Sequence, residues 1–316
     1  MKSVFIRNEN NPVLAPNDMP PDVMYVLNPG AVKHNGEYVV MMDAAVASGP
    51  IVFWLARSKD GMKFTVDPEP VNWPGFEPGY TENCVYDPRI TKIGEEYFIM
   101  YASASDEYGI SLGLVKTKDF VSYERIEQER THAPIRNGVL FPEKINGRYV
   151  RLDRPMDDPR GPSMMYLSYS DDLIHWRDSV PLMDVRPALW DRFKIGGGAV
   201  PIKTKKGWLT IYHGVGDTCN GLIYALGVCM LDLNDPEKII ARGEDAVLWP
   251  VELYELVGRV PNVVFTCNAI PEDDGSVKIY YGAADTCIGL AEAQLADLMD
   301  ACYRKNRHIK KVFGKK

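Results

Sequence analysis

Eight polar residues, scattered over most of the chain, stand in surroundings similar enough to suggest one shared site. Asp87, in VYDPRI, is a carboxyl that could donate a proton to a glycosidic bond. Arg136, Arg154, Lys194 and His213 are cationic or potentially cationic, and two guanidiniums offer paired donors that match phosphate oxygens. Tyr224, in GLIYALG, could add a phenol donor. Asn28, in LNPGAV, and Asp285, in YYGAADT, could bind the hydroxyls of a sugar. Taken singly, each has an ordinary explanation. An Asp before Pro is a common turn residue, an Arg at a strand end is usually a surface pair, and a His in an apolar strand is usually core. Only a scaffold that gathers them makes them a site.

The sequence supplies such a scaffold by repetition. GEYVVMMDA from Gly36, GEEYFIMYAS from Gly94, NGRYVRLDRP from Asn146, KGWLTIYHGV from Lys206 and GSVKIYYGAAD from Gly275 all read as one short strand. Their starts lie roughly 50–70 residues apart, a spacing of the propeller-blade kind. A second element, Ser/Thr-x-Asp followed by an aromatic, recurs in ARSKDGMKF, VKTKDFVSY and SYSDDLIHW, with MLDLNDPEKIIAR as a diverged copy. Its Asp should start a turn, and its aromatic should pack back into the blade. In the fifth copy's place, GLAEAQLADLMDA (289–301) reads as a helix with Leu290, Leu295, Leu298 and Met299 on its apolar side. A third element precedes each strand signal: LNPGAV, YDPRI, RNGVLFP, KIGGGAVP and PNVVF. Each sets polar residues, Pro or Gly just ahead of an apolar run, as expected where a strand lining a central channel begins. The expectation is an all-β fold: a single five-bladed β-propeller over residues 1–316, about 60 residues per blade, with a short C-terminal helix and basic tail over about 290–316. The aromatics Tyr38, Tyr97, Tyr149 and Trp208 recur at one blade position and read as core.

Composition narrows the function. The chain has 316 residues, 46% hydrophobic and 25% charged, with net charge −7, which argues against a nucleic-acid binder but allows a local cationic pocket. The six cysteines form no CxxC pair and the five histidines are dispersed, so no metal site and no organic cofactor are expected. No dinucleotide fingerprint, P-loop, G-x-S-x-G or H-E-x-x-H appears. Scattered thiols and the lack of an apolar leader or span predict a soluble, cytoplasmic protein without membrane contact. The basic RKNRHIKKVFGKK from Arg304 reads as a solvated tail, and a homo-oligomer is compatible with the sequence.

At these same residues the chain resembles glycoside hydrolase family 130, the β-mannoside phosphorylases built on a five-bladed propeller. The matching motifs are NPGAV at Asn28, YDPR at Tyr86, RNGVLFPEKINGRYV at Arg136, the Arg-Pro of Arg154, KIGGG at Lys194, GWLTIYHGV at Gly207, VPNVVF at Val260 and YYGAADT at Tyr280. They span about residues 28 to 290. The resemblance implies that Asp87 is the general acid. It implies that Arg136, Arg154, Lys194, His213 and Tyr224 hold phosphate, and that Asn28 and Asp285 contact the mannosyl unit. The implied reaction is an inverting phosphorolysis: phosphate, the co-substrate, attacks the anomeric carbon of a non-reducing β-mannosyl unit and gives α-mannose 1-phosphate. Asp87 would pass its proton through the 3-hydroxyl of the bound mannose. The residues agree with this, because an inverting hydrolase needs a second carboxylate to activate water, whereas phosphate needs cations to hold it.

Two segments depart from the family pattern. The first blade's strand carries Asp43 where many members have an Arg, and RPMDDPRGPSMM lacks the His-Thr-Pro-Phe-Gly stretch of the relatives acting on mannosyl-glucose. The segment resembles the mannooligosaccharide enzymes more closely, and both β-1,4 and β-1,2 linkages stay open. A water-using mannosidase, with Glu82 or Glu143 as base, and a non-catalytic glycan-binding propeller are the competing readings.

Overall fold

The computed structural model describes residues 3–47, 49–74, 82–107, 109–129, 134–156, 164–219 and 221–305. The five strand signals are the second strands of five antiparallel sheets: Glu37–Val46, Glu96–Ser105, Tyr149–Pro155, Gly207–Thr218 and Ser276–Ala283. The sheets are the blades of a propeller. Each second strand pairs with an inner strand on one side and a third strand on the other. Alternating side chains put one apolar face toward each neighbouring blade, so the core is a ring of sheet-on-sheet interfaces. Val39, Met41 and Phe53 of blade 1, for example, meet Ile90, Ile99 and Tyr101 of blade 2. Tyr38, Tyr97 and Trp208 are buried, as their recurrence predicts, while Tyr149 is half-buried under the Lys144 ammonium.

The fifth blade is closed by the start of the chain. Ile6–Arg7 pairs antiparallel with Glu292 and Ala291. A two-residue strand leaves no periodic signal, so the sequence reading misses it. Arg7 is anchored by its guanidinium on the buried Glu255, at 2.7 and 2.8 Å, and on the Trp249 carbonyl.

The Ser/Thr-x-Asp element works as a turn by satisfying backbone donors that no strand can take. Asp60 Oδ1 accepts from the amides of Met62 and Lys63, Asp119 Oδ1 from Val121 and Ser122, Asp172 Oδ1 from Ile174 and His175, and Asp232 Oδ1 from Asn234 and Asp235. The aromatics that follow pack back onto their own blade and also reach the next: Phe64 joins Val40 and Trp54 of blade 1, and Trp176 joins Leu140 and Leu173 of blade 3. Phe64 meets Tyr280 of blade 5, and Trp176 joins Ile93 and Ile126 of blade 2.

Two further expectations are corrected. The helix is only Leu295–Ala301, and the stretch before it is the third strand of blade 5, Cys287–Gln294. Pairing along all of Ser276–Ala283 overrides the weak helical spacing of 289–294. The inner strands of the first three blades also do not begin at their Asn-Pro, Asp-Pro or Asn-Gly pairs. Val23–His34, Glu82–Ile93 and Ile135–Leu140 run through them, and the pairs sit in bulges. Residues 157–163 and 306–316, which include much of the Arg154 segment and most of the basic tail, lie outside the described residues.

Candidate active site at the propeller axis

The three bulges are equivalent. Each ladder breaks between the residue before the pair and the residue directly after it: Leu27/Gly30, Tyr86/Arg89 and Arg136/Val139. The residue inside each bulge takes the left-handed conformation: Asn28 at φ 42°, Asp87 at 59° and Asn137 at 55°. Asn and Asp tolerate this region better than other non-glycine residues. A bulge re-aims its side chain out of the sheet, and here all three line one axial cavity of about 490 Å³.

All eight residues singled out from the sequence line that cavity. They divide by blade. Blades 3 and 4 contribute Arg136, Arg154, Lys194, His213 and Tyr224. Blades 1, 2 and 5 contribute Asn28, Asp87 and Asp285. One half is cationic and the other carries carboxyls and an amide.

In the second half, Asn28 Nδ2 donates to Asp87 Oδ1 at 2.8 Å. Arg89, 1% exposed, crosses the axis beneath the cavity. Its Nη1 donates to the Asp87 carbonyl at 3.1 Å, and its Nε and Nη2 reach the carbonyls of Gly198 and Gly197 on blade 4, at 3.0 and 2.9 Å. Asp87 Oδ2 lies 3.9 Å from the same guanidinium. Burial, then the nearby Asp87 carboxylate, pushes Asp285 up to about 6. Gly282 makes room for Asn28: a Cβ there would stand 2.7 Å from the Asn28 amide nitrogen and 2.8 Å from its Oδ1.

In the cationic half, Arg136 and Arg154 are register partners on adjacent strands. Burial, then Arg136, pulls Arg154 down to about 10, and burial with Arg154 and Arg136 pulls Lys194 down to about 8. Lys194 Nζ lies over the Tyr224 ring, 5.1 Å from its centre. His213 is held toward its neutral form. Burial, then Arg154, drives its imidazole far below the usual value. Its Nδ1 is 3.2 Å from the Gly197 carbonyl and so donates there, which leaves Nε2 to accept from Arg154 Nη1 at 3.4 Å. Gly196 leaves the space that this ring fills.

Several cavity groups have no protein partner. Arg136 Nε, Arg154 Nε, Asn28 Oδ1 and Asn137 Oδ1 make no hydrogen bond among the described residues. Buried polar atoms are rarely left so, and a ligand would satisfy them. Neither Glu82 nor Glu143 lines the cavity. Glu82 is paired with Arg125 at 2.9 Å, and Glu143 with Lys203 on the surface.

Sequence reasoning missed four contributors. Asn137 occupies the same bulge position as Asn28 and Asp87, so the repeat could have found it. Asp43, noted only as a departure, stands five residues past the recurring aromatic, as do Arg154 and His213 in their blades. Arg89 follows the Asp-Pro pair directly, and its length hid its reach across the axis. Arg259, exposed at the cavity wall beside the Tyr25 ring, lies in a loop outside any repeat.

A five-bladed propeller whose axial cavity sets buried carboxyls against a cationic wall has the framework of a glycan-processing enzyme. Residues 5–304 match the profile of the family described as beta-1,4-mannooligosaccharide phosphorylase, and the chain belongs to this family, glycoside hydrolase family 130. It is similar to a beta-1,4-mannooligosaccharide phosphorylase of Ruminococcus albus, 34% identical over 311 residues, covering 95% of this chain and 91% of the relative. It is also similar to a beta-1,2-mannobiose phosphorylase of Listeria innocua, 39% identical over 246 residues, covering 78% of this chain and 67% of the relative. The solved beta-1,2-mannobiose phosphorylase from Listeria innocua, in complex with beta-1,2-mannobiose, superposes with a TM-score of 0.85 at 31% identity, covering 94% of this chain and 99% of that one.

Proposed function

We propose that this protein is an inverting glycoside phosphorylase. It cleaves a non-reducing β-mannosyl unit with inorganic phosphate, giving α-mannose 1-phosphate and a shortened acceptor. The observation that carries the reading is the division of the axial cavity into a carboxyl half and a cationic half. A single displacement needs a proton donor on the leaving oxygen and a nucleophile held on the opposite face of the sugar. Asp87, steered by Asn28, is the donor. Arg136, Arg154, Lys194 and Tyr224 donate to the phosphate dianion, a role that the unpartnered Nε atoms of Arg136 and Arg154 support, and His213 joins them by taking a proton on Nε2 when the dianion binds beside it. A phosphate oxygen forms the new bond to the anomeric carbon as the glycosidic bond breaks. The leaving oxygen takes its proton from Asp87 through the sugar's 3-hydroxyl, and Asp87 then regains a proton from water. Asn28 and Asp285 orient the mannosyl unit. No second carboxylate is required, because phosphate arrives as the nucleophile.

The preferred linkage is β-1,4, on the family description and the Ruminococcus albus relative, which matches nearly the whole chain. A β-1,2 preference is the second reading, favoured by the higher identity to the Listeria innocua enzyme. Incubation with β-1,4- and β-1,2-mannobiose, with and without phosphate, separates them. Mannose 1-phosphate formed from only one substrate, and only with phosphate, fixes both reaction and linkage. Free mannose in all tubes would replace the phosphorylase with a mannosidase.

A further inference from the structure

One carboxyl in the cavity has no part in the reaction as drawn. Asp43 lies on the second strand of blade 1, is fully buried, and sits under the bulge of blade 2. Its Oδ1 and Oδ2 stand 3.0 and 3.1 Å from the backbone nitrogen of Asp87, which donates to them. Asp87 is thereby held on every side. Its N–H goes to Asp43, its carbonyl to Arg89 and its Oδ1 to Asn28. A left-handed non-glycine residue persists only when its surroundings fix it.

The repeat shows that this support is particular to Asp87. The blade position of Asp43 is occupied by Ala102, Arg154 and His213, each likewise five residues past the recurring aromatic, and by Gly282, seven past Gly275 as Asp43 is past Gly36. Gly282 occupies the same place relative to its neighbour's bulge, since a Cβ there would meet the Asn28 nitrogen at 2.7 Å. Glycine and alanine offer no acceptor. Among these five positions, a side chain that can accept the bulge amide stands only before the candidate acid and, as His213, where the ring is already committed to Gly197 and Arg154. Burial and the carboxylates of Asp87 and Asp285 all push Asp43 toward its neutral form, which keeps an acceptor in place without setting a second full negative charge against Asp87.

We infer that Asp43 is a positioning residue: by accepting the Asp87 amide from the neighbouring blade, it fixes the bulge that aims the Asp87 carboxyl at the sugar. This rests on the phosphorylase reading above. The test compares Asp43→Asn, which keeps a carbonyl acceptor, with Asp43→Leu, which keeps the branched shape and lacks one. Turnover of the mannobiose that the wild type accepts is measured against phosphate concentration, alongside thermal melting. The expected result is a kcat lowered about 10- to 100-fold in Asp43→Leu, with KM for phosphate within about threefold of wild type. In Asp43→Asn, kcat should stay within about fivefold. A merely structural residue would not split kcat from KM, nor be rescued by the amide. Equal losses in both variants, or none in either, overturn the inference while leaving the phosphorylase intact. If Asp43→Leu does not fold, Asp43→Ala is read by the same criteria. A wild type that turns over neither mannobiose with phosphate overturns the reaction itself, and the role of Asp43 in it.

Discussion

Replacing Arg154 by Met would separate the cost of the cationic wall from its use. Met retains most of the buried stem and removes only the charge. The guanidinium is 6% exposed, and burial beside Arg136 lowers it from its ordinary value to about 10. Carrying that charge therefore costs the folded protein about 3 kcal/mol. The bonds lost with it, to the Ile195 carbonyl and to His213, are long, at 3.3 and 3.4 Å, and are worth about 1 kcal/mol each. The variant should melt at or above the wild-type temperature. Phosphate binding is another matter. A negative charge about 4 Å from a guanidinium gains about 4 kcal/mol at an effective dielectric near 20. Removing one such donor from a preorganised anion site typically leaves a net loss of about 3–4 kcal/mol. The expected outcome is a 100- to 1,000-fold fall in kcat/KM for phosphate, read from mannose 1-phosphate formation. Added phosphate should also raise the melting temperature of the wild type and not that of Arg154→Met. A variant within fivefold of wild type in kcat/KM, or one destabilised by more than about 5 °C, would refute the reasoning.

Four further outcomes follow from the same geometry. Asp87→Asn should lower kcat by about 10²- to 10⁴-fold while phosphate still raises the melting temperature, which an unchanged turnover would contradict. Lys194 loses its proton above about pH 8 in the free protein, so kcat/KM for phosphate should decline on the alkaline side. Lys194→Met should be slower throughout and lack that decline, a comparison that cancels phosphate's own titration. Asp285, with its carboxyl near 6, is the stronger acceptor of sugar hydrogen bonds when ionised, so KM for the mannoside should rise as pH falls below about 6 in the wild type and not in Asp285→Asn. Gly282→Ala would push a methyl against the Asn28 backbone and should cost at least tenfold in kcat together with about 1–3 kcal/mol of stability; full activity would show that Asn28 does not steer Asp87.

Much of this architecture is legible before any coordinates, because a propeller writes each structural decision five times. The strand signals at Gly36 through Gly275 give the second strand of every blade, and the elements ahead of them point to the axis. All eight polar residues picked on that logic meet in one cavity. What stays hidden has physical reasons. The bulges depend on φ values that Asn and Asp can adopt but do not advertise, so LNPG and YDPR look like strand starts. Asp43 and Arg89 act through contacts across blades or across the axis, which local spacing does not encode. The stretch 289–294 spaces its apolar residues almost like a helix, and only its long partner strand settles the matter. His213 reads as a possible cation, yet its wall of guanidiniums and its burial keep it neutral.

Closure of the ring by Ile6 and Arg7 has a consequence for synthesis. The partners of these two residues, Glu292 and Ala291, are made almost a whole chain later. At 5–20 residues per second, the opening segment waits roughly 15–60 s on the ribosome before its place exists. Blades 1 to 4 can collapse as they emerge, but the last seam must be sewn by residues made before any blade. An emerging chain is therefore an open ring in which one face of blade 1 still waits for blade 5.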